Sequence, residues 1–343
     1  MSHPIRMYAQ DLFFEVTIRT IEGTFWFHDD DPAQTAAING AFAAAQLRHP
    51  VKIYAYHMLS NHYHGLYWAP DPETMAKFLN HLHAALARIA NRRHNRRGPV
   101  WNSSAHVIPV VIDETTLMKR IDYIMGQAVK AGLASHPSEF RGASSLPWML
   151  RGDSIDGTKF DQTARTLDAR RKSGPKVDEA YGKRVSVTMS RLPCHEGLAD
   201  DVFHKLYQDI AKDISERRTK AIEGEDTPQP IDKSSQTDPP DQPQRSAPPP
   251  LPRRKPIVHA PTARDRDEYI KRFQAFEDEY DLARQELRAQ EQRGRNGRRA
   301  RAVVFPFLAF PCRAGVRGNG GSAAPAVLAV RAKVASTMGK NIF

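Results

Sequence analysis

The 343-residue chain sets 50 Lys and Arg against 39 Asp and Glu, a formal charge of +11. At about 150 residues per domain there is room for two domains and a sizeable core. The positive excess favours polyanions, meaning nucleic acid or an anionic membrane surface. Its two cysteines, Cys194 and Cys312, allow at most one bridge, which excludes a disulfide scaffold and a cysteine-rich zinc module. No apolar run approaches the roughly 18 residues of a spanning helix, and Met1 to Tyr8 lack the apolar stretch of a signal peptide. The expectation is a cytoplasmic protein in a reducing compartment.

Leu12–Thr20, rich in β-branched and aromatic residues, predicts a strand. Asp31–Leu47, opening on Asp-Pro and filled with alanine, predicts an N-capped helix. Val51–Met58 and His62–Trp68 read as two short strands joined by Leu59, Ser60 and Asn61, a hairpin. Met75, Phe78, Leu79, Leu82 and Leu86 give Glu73–Arg93 helical spacing. His106–Ile112 predicts a strand that Pro109 assigns to an edge or a bulge. Asp113–Val129 predicts a helix ending near Gly132. The order β-α-β-β-α-β-α implies an α+β fold with an antiparallel sheet.

Signals weaken beyond Ser154. Asp200–Ile214 has helical spacing, and Thr227–Pro261 holds 11 of the 25 prolines, a linker too poor in apolar residues to pack. Tyr269, Phe273, Phe276, Tyr280, Ala283 and Leu287 then step by four and three. That spacing fits a short coiled-coil seam or a helix packing back on the core. Arg293, Arg295, Arg298, Arg299 and Arg301 form a basic arm. The expected organisation is a domain at 8–150, a helical extension at 151–223, a Pro-rich linker at 224–262, a helix with its basic arm at 263–301 and an unassigned tail at 302–343.

His62 and His64 are two apart on an expected strand and so share a face, where both imidazoles can reach one metal ion. The spacing alone is weak, because the chain has 14 histidines and also carries His81 and His83. That second pair falls in a helix, where residues two apart diverge by about 200°. Tyr123 and Gln127, four apart on a helix, project a phenol and an amide oxygen from one face. Two imidazoles and an amide would make an open metal site, with the tyrosine as nucleophile for a phosphodiester.

The run from Ala55 to His64 resembles the HUH motif (His, bulky hydrophobe, His) of single-tyrosine transposases, and most of all the REP-associated tyrosine transposases. The resemblance spans roughly Tyr8–Trp148. It also rests on Val16 to Arg19, Gly98 to Trp101, Tyr123-Ile124, Val129 to Leu133 and Ser144 to Trp148. Leu59-Ser60 replaces the branch's usual Met-Pro, Gln127-Ala128 replaces its Asn-Pro, and Ser104 stands near an expected arginine. The resemblance implies a ferredoxin-like or RRM-like antiparallel sheet with helices, and single-stranded or hairpin DNA as partner. It implies that Tyr123 attacks the scissile phosphate, leaving a 5′-phosphotyrosine and a free 3′-OH. By the same resemblance His62, His64 and Gln127 hold Mg2+ or Mn2+, and the tyrosine helix serves its own subunit or that of a partner, so a homodimer is open.

Arg88, Arg92, Arg93, Arg96 and Arg97 end the helix after the hairpin and could track phosphates, with Trp101 or Tyr63 stacking on bases. The expected function is therefore a DNA transposase, a metal-dependent single-strand endonuclease and strand joiner. Two alternatives are a replication-initiator or relaxase-type HUH nuclease and a DNA-binding protein that keeps the fold without cleavage.

Overall fold

The structure, a computed structural model, describes residues 7–9, 11–102, 106–171, 178–223 and 256–294. Ser104, the linker residues 224–255, the basic arm beyond Gly294 and the tail with Cys312 lie outside them. Four strands form one antiparallel sheet: β1 (Leu12–Arg19), β2 (Lys52–Met58), β3 (His62–Trp68) and β4 (His106–Val111), in the order β2-β3-β1-β4. With α1 (Pro32–Arg48) between β1 and β2, and α2 (Pro72–Arg93) between β3 and β4, this is the split βαβ arrangement of ferredoxin-like folds. The expected α+β class is the observed one.

Local chemistry starts each helix where the sequence indicates. Asp31, Asp71 and Asp113 accept hydrogen bonds from the backbone N–H three residues on, at 3.0, 2.7 and 2.9 Å. Pro32 and Pro72 fill first helical positions, where no N–H is needed. Strand alternation then divides the sheet into two faces. Phe14, Val16, Tyr63 and Tyr67 share a buried core with Phe42 of α1 and Phe78 of α2. Phe13, Leu66 and Val110 face the opposite way, toward Leu117 and Ile121 of α3 (Glu114–Met125). There they meet Met149 of α5 (Leu146–Arg151) and Phe203 and Tyr207 of α7 (Asp200–Glu223).

The helix expected over Asp113–Val129 is broken at Gly126 into α3 and α4 (Gln127–Lys130). A Cβ at Gly126 would stand 3.5 Å from Cγ2 of Ile214 on α7, so the break lies where α7 presses on the chain. A hairpin not foreseen in the sequence, β5 (Ile155–Phe160) with β6 (Gly182–Val187), lies across α1. Gly40 and Gly157 permit the approach, since a Cβ at Gly40 would fall 2.2 Å from the Thr158 carbonyl oxygen. Between them α6 spans Gln162–Ala169.

The C-terminal part of the described chain returns to the sheet domain. β4 is the edge strand that Pro109 indicates, and the edge is covered. His259 N–H donates to the Pro109 carbonyl at 2.9 Å, and Val111 N–H donates to the His259 carbonyl at 2.9 Å. Pro109 thus turns its missing donor outward, where no ladder bond within the sheet is lost. The end of the proline-rich stretch, read from composition as unable to pack, is pinned here by these bonds. In α8 (Ala263–Gly294), Tyr269, Phe273 and Phe276 are buried in the main core, and Arg272 pairs with Asp11 at 2.7 Å. The first half of the heptad stripe therefore packs back on the core, while Leu287 at its far end is exposed. Burying Phe273 and Phe276 contributes about 1.5–3 kcal/mol each.

Candidate active site

β3 places His62 and His64 on the sheet face covered by α3, opposite Arg19 and Thr17 of β1. Their ring centroids are 5.1 Å apart and nearly perpendicular. Each ring is anchored through Nδ1. That of His62 lies 2.6 Å from Oδ1 of Asn61, and that of His64 lies 2.8 Å from Oγ1 of Thr17. The Asn61 oxygen only accepts, so His62 carries its proton on Nδ1; Glu15, whose carboxylate is 3.8 Å from Nδ1 of His64, favours the same tautomer there. Both Nε2 atoms keep a lone pair without a hydrogen-bond partner among the described residues. That is the donor arrangement of metal-ligating histidine, with the second nitrogen fixed by an oxygen. Burial, then the neighbouring His64, Arg19, His57 and Lys130, pushes the His62 imidazole down to about 3, so it is neutral, as ligation requires.

Tyr123 meets this pair directly. Its ring packs edge-on against His64, with centroids 5.2 Å apart and planes at 89°. The Gln127 amide N–H donates to the Tyr123 carbonyl at 2.8 Å, which closes the turn around Gly126. Arg217 of α7 pairs with Asp122 and so fixes the helix at the residue before the tyrosine. The Arg120 guanidinium lies 5.0 Å from the Tyr123 ring centre and the Lys130 ammonium 5.7 Å. Positive charge therefore flanks the Tyr123 ring.

Sequence reasoning missed the support beneath. Glu15 is 3% exposed, yet it lies in an apolar strand beside three cationic or titratable groups. Arg120 Nη1 approaches its carboxylate at 3.3 Å and His259 Nε2 at 3.5 Å, besides Nδ1 of His64. Burial alone would push this carboxyl up. The His64 ring N–H and the positive charge of Arg120 outweigh it, and the group stays below its ordinary value, ionised. An acidic residue between Phe14 and Val16 was the available signal.

The remaining candidates sit elsewhere. Arg88, Arg92, Arg93, Arg96 and Arg97 belong to α2 and the turn after it, on the opposite side of the sheet from α3. Arg92 lies 3.6 Å over the Phe160 ring, Arg93 pairs with Asp31 at 2.7 Å, and Arg96 covers the Trp26 ring at 4.2 Å. Trp101 stacks on Phe27 and donates its indole N–H to the His83 carbonyl at 2.9 Å, so packing holds it. Tyr63 is fully buried, with its hydroxyl 2.7 Å from Nε2 of His83, and points away from the His62/His64 face; base stacking is closed to it. His81 has a different neighbour, His49, so the second histidine pair is divided as helical geometry demands. Glu114, Cys194 and His195 also bring ligand atoms within 4.8 Å of one another. Burial and the Glu114 and Asp113 charges push the Cys194 thiol up, which disfavours the thiolate a metal needs. Among the described residues no helix is long and apolar enough to cross a membrane.

No family model and no curated protein matches the chain. Several solved structures are similar to it, two of them as follows. One is a REP-associated tyrosine transposase bound to a REP hairpin, at 15% identity, covering 54% of this chain and 99% of that one with a TM-score of 0.33. The other is a Deinococcus radiodurans protein assigned as a transposase, at 18% identity, covering 37% and 98% with a TM-score of 0.25.

Proposed function

We propose that the chain is a transposase-type endonuclease that cuts and rejoins single-stranded DNA through Tyr123. The observation that carries this reading is the edge-on contact of Tyr123 with His64, beside His62, on one sheet face. The HUH resemblance of the same residues supports it. The phenolic oxygen of Tyr123 attacks the phosphorus, an O–P bond forms, and the bond to the 3′-oxygen breaks. The phenol gives up one proton and the leaving 3′-oxygen gains one, so the 5′-phosphotyrosine and 3′-OH balance the step. Attack by a 3′-OH reverses it without a nucleotide cofactor.

His62, His64 and the Gln127 amide oxygen would hold Mg2+ or Mn2+, which when bound polarises the phosphate and lowers the barrier to in-line attack. Glu15 and Thr17 hold the His64 ring, and Asn61 holds that of His62. Arg120 and Lys130 meet the phosphate charge. Hairpin-flanked sites, a homodimer, and strand contacts by Arg88, Arg92, Arg93, Arg96, Arg97 and Trp101 belong to the same proposal. Of the last group Arg88, Arg92, Arg93 and Arg97 are exposed, and with Arg92 over Phe160 and Arg93 paired with Asp31, Arg88 and Arg97 are the residues best placed to act.

The test is incubation of the chain with labelled single-stranded hairpin oligonucleotides and Mn2+ or Mg2+, followed by analysis of the product ends. The reading expects a 3′-OH end that a template-independent polymerase extends, a partner fragment retained on protein, and no cleavage with chelator. Retention of DNA with intact oligonucleotide would favour a binding protein of the same fold.

A further inference from the structure

A cavity of about 290 Å³ opens where α3 meets the chain entering α8, lined by Thr116, Lys119, Arg120, His259, Thr262 and Arg266 among others. Among the described residues no carboxylate lines it. Lys119 and Arg266 are exposed and have no ion pair among the described residues. Arg120 spends Nη1 on Glu15 and His259, at 3.3 and 3.2 Å, and its other guanidinium nitrogens have no hydrogen bond among the described residues. Ala263, the first residue of α8, lies in the wall, so the positive end of a 32-residue helix adds to the field. The acidic groups that touch the lining are already engaged: Glu15 pairs with Arg120 at 3.3 Å, Asp113 accepts from the Thr116 N–H at 2.9 Å, and Asp265 accepts from the Thr262 hydroxyl at 2.6 Å.

We infer that this cavity binds a backbone phosphodiester of the single strand that Tyr123 attacks, so that the C-terminal helix contributes to substrate holding. Three cations around a polar recess recognise a phosphate, and recognise it independently of base sequence. Its location follows from Arg120, which lines the cavity and also lies 5.0 Å from the Tyr123 ring centre. One side chain therefore joins the cavity to the proposed nucleophile, and a strand crossing the tyrosine has a second anchor a short way along its backbone. The pinning of His259 to Pro109 and Val111 holds the cavity's outer wall on the sheet edge. The inference rests on the single-strand reading of the site.

The test uses the full chain carrying Tyr123→Phe, so that cleavage does not complicate binding, with and without Lys119→Ala and Arg266→Ala together. Both residues are exposed, and circular dichroism checks the fold. Anisotropy of a labelled single-stranded oligonucleotide is read across a salt series. Each lost single-strand contact flattens the slope of log K against log salt by about 0.7, so the variant should be shallower by about 1.4. A scan with one neutral methylphosphonate linkage per oligonucleotide should then find a position that weakens the parent and leaves the variant unchanged. Equal slopes, or no such position, would overturn the cavity's role while leaving the tyrosine chemistry standing. A parent that binds no single strand would instead overturn the functional reading.

Discussion

His57 stands opposite His64 in the strand register and is fully buried, stacked on Phe140 with ring centroids 4.3 Å apart. Neither of its ring nitrogens has a hydrogen-bond partner among the described residues. Burial, then the nearby His64, pushes its imidazole down to about 3. The unfolded chain takes up a proton on this residue near pH 6.5, whereas the folded chain resists it until about 3. The unfolded state therefore binds more protons in that window. Stability falls as the pH is lowered from about 6.5 toward 3, at up to roughly 1.4 kcal/mol per unit from this residue. Between pH 7 and pH 5 the loss comes to about 2 kcal/mol. His57→Phe keeps a ring against Phe140 and removes the titration. Denaturant unfolding at both pH values should show the variant losing about 2 kcal/mol less than the native chain, and gaining on the order of 1 kcal/mol at pH 7 from the lost orphan atoms. An identical pH dependence in both proteins would refute the account of a neutral, unpartnered His57.

Glu15→Gln keeps the shape of the side chain and removes the charge that fixes His64, so Mn2+ affinity by calorimetry should fall about 10–100-fold. An unchanged affinity would show that the carboxylate serves only to balance Arg120. His81→Ala with His83→Ala should leave metal-dependent cleavage intact and cost about 1 kcal/mol through the lost bond to Tyr63, read by thermal unfolding; a collapse of cleavage would reopen the choice of histidine pair. Phe203→Ala, in the α7 face that backs the tyrosine helix, should destabilise by about 3–5 kcal/mol. A fragment ending near residue 173 loses that face together with α8, and should unfold more readily than the full chain.

The elements that position the site were readable because each carries a local signal. An Asp-Pro cap opens α1 and α2, alternation marks β1 to β3, and the three residues Leu59, Ser60 and Asn61 make a hairpin. The facing of His62 and His64 follows from strand period alone. What was not readable depends on contacts distant in sequence. Glu15 matters through a neighbouring strand, and His259 through an edge that its own proline-rich surroundings do not announce. The β5–β6 pair is short, polar and interrupted by Gly157, whose purpose is a close approach to Gly40. The arginines after α2 gave a clear charge signal, but spacing cannot tell a strand contact from a cation spent on Phe160, Asp31 or Trp26.

The central claim is that Tyr123 becomes covalently joined to DNA at the His62/His64 site. The measurement that tests it most directly is a denaturing gel of the native chain and Tyr123→Phe with labelled single-stranded hairpin oligonucleotide and Mn2+. The account predicts a slow-migrating adduct from the native chain that chelator abolishes, and none from Tyr123→Phe, which still binds the oligonucleotide in anisotropy. An adduct that persists in Tyr123→Phe, or a native chain that binds tightly and forms none, would contradict it.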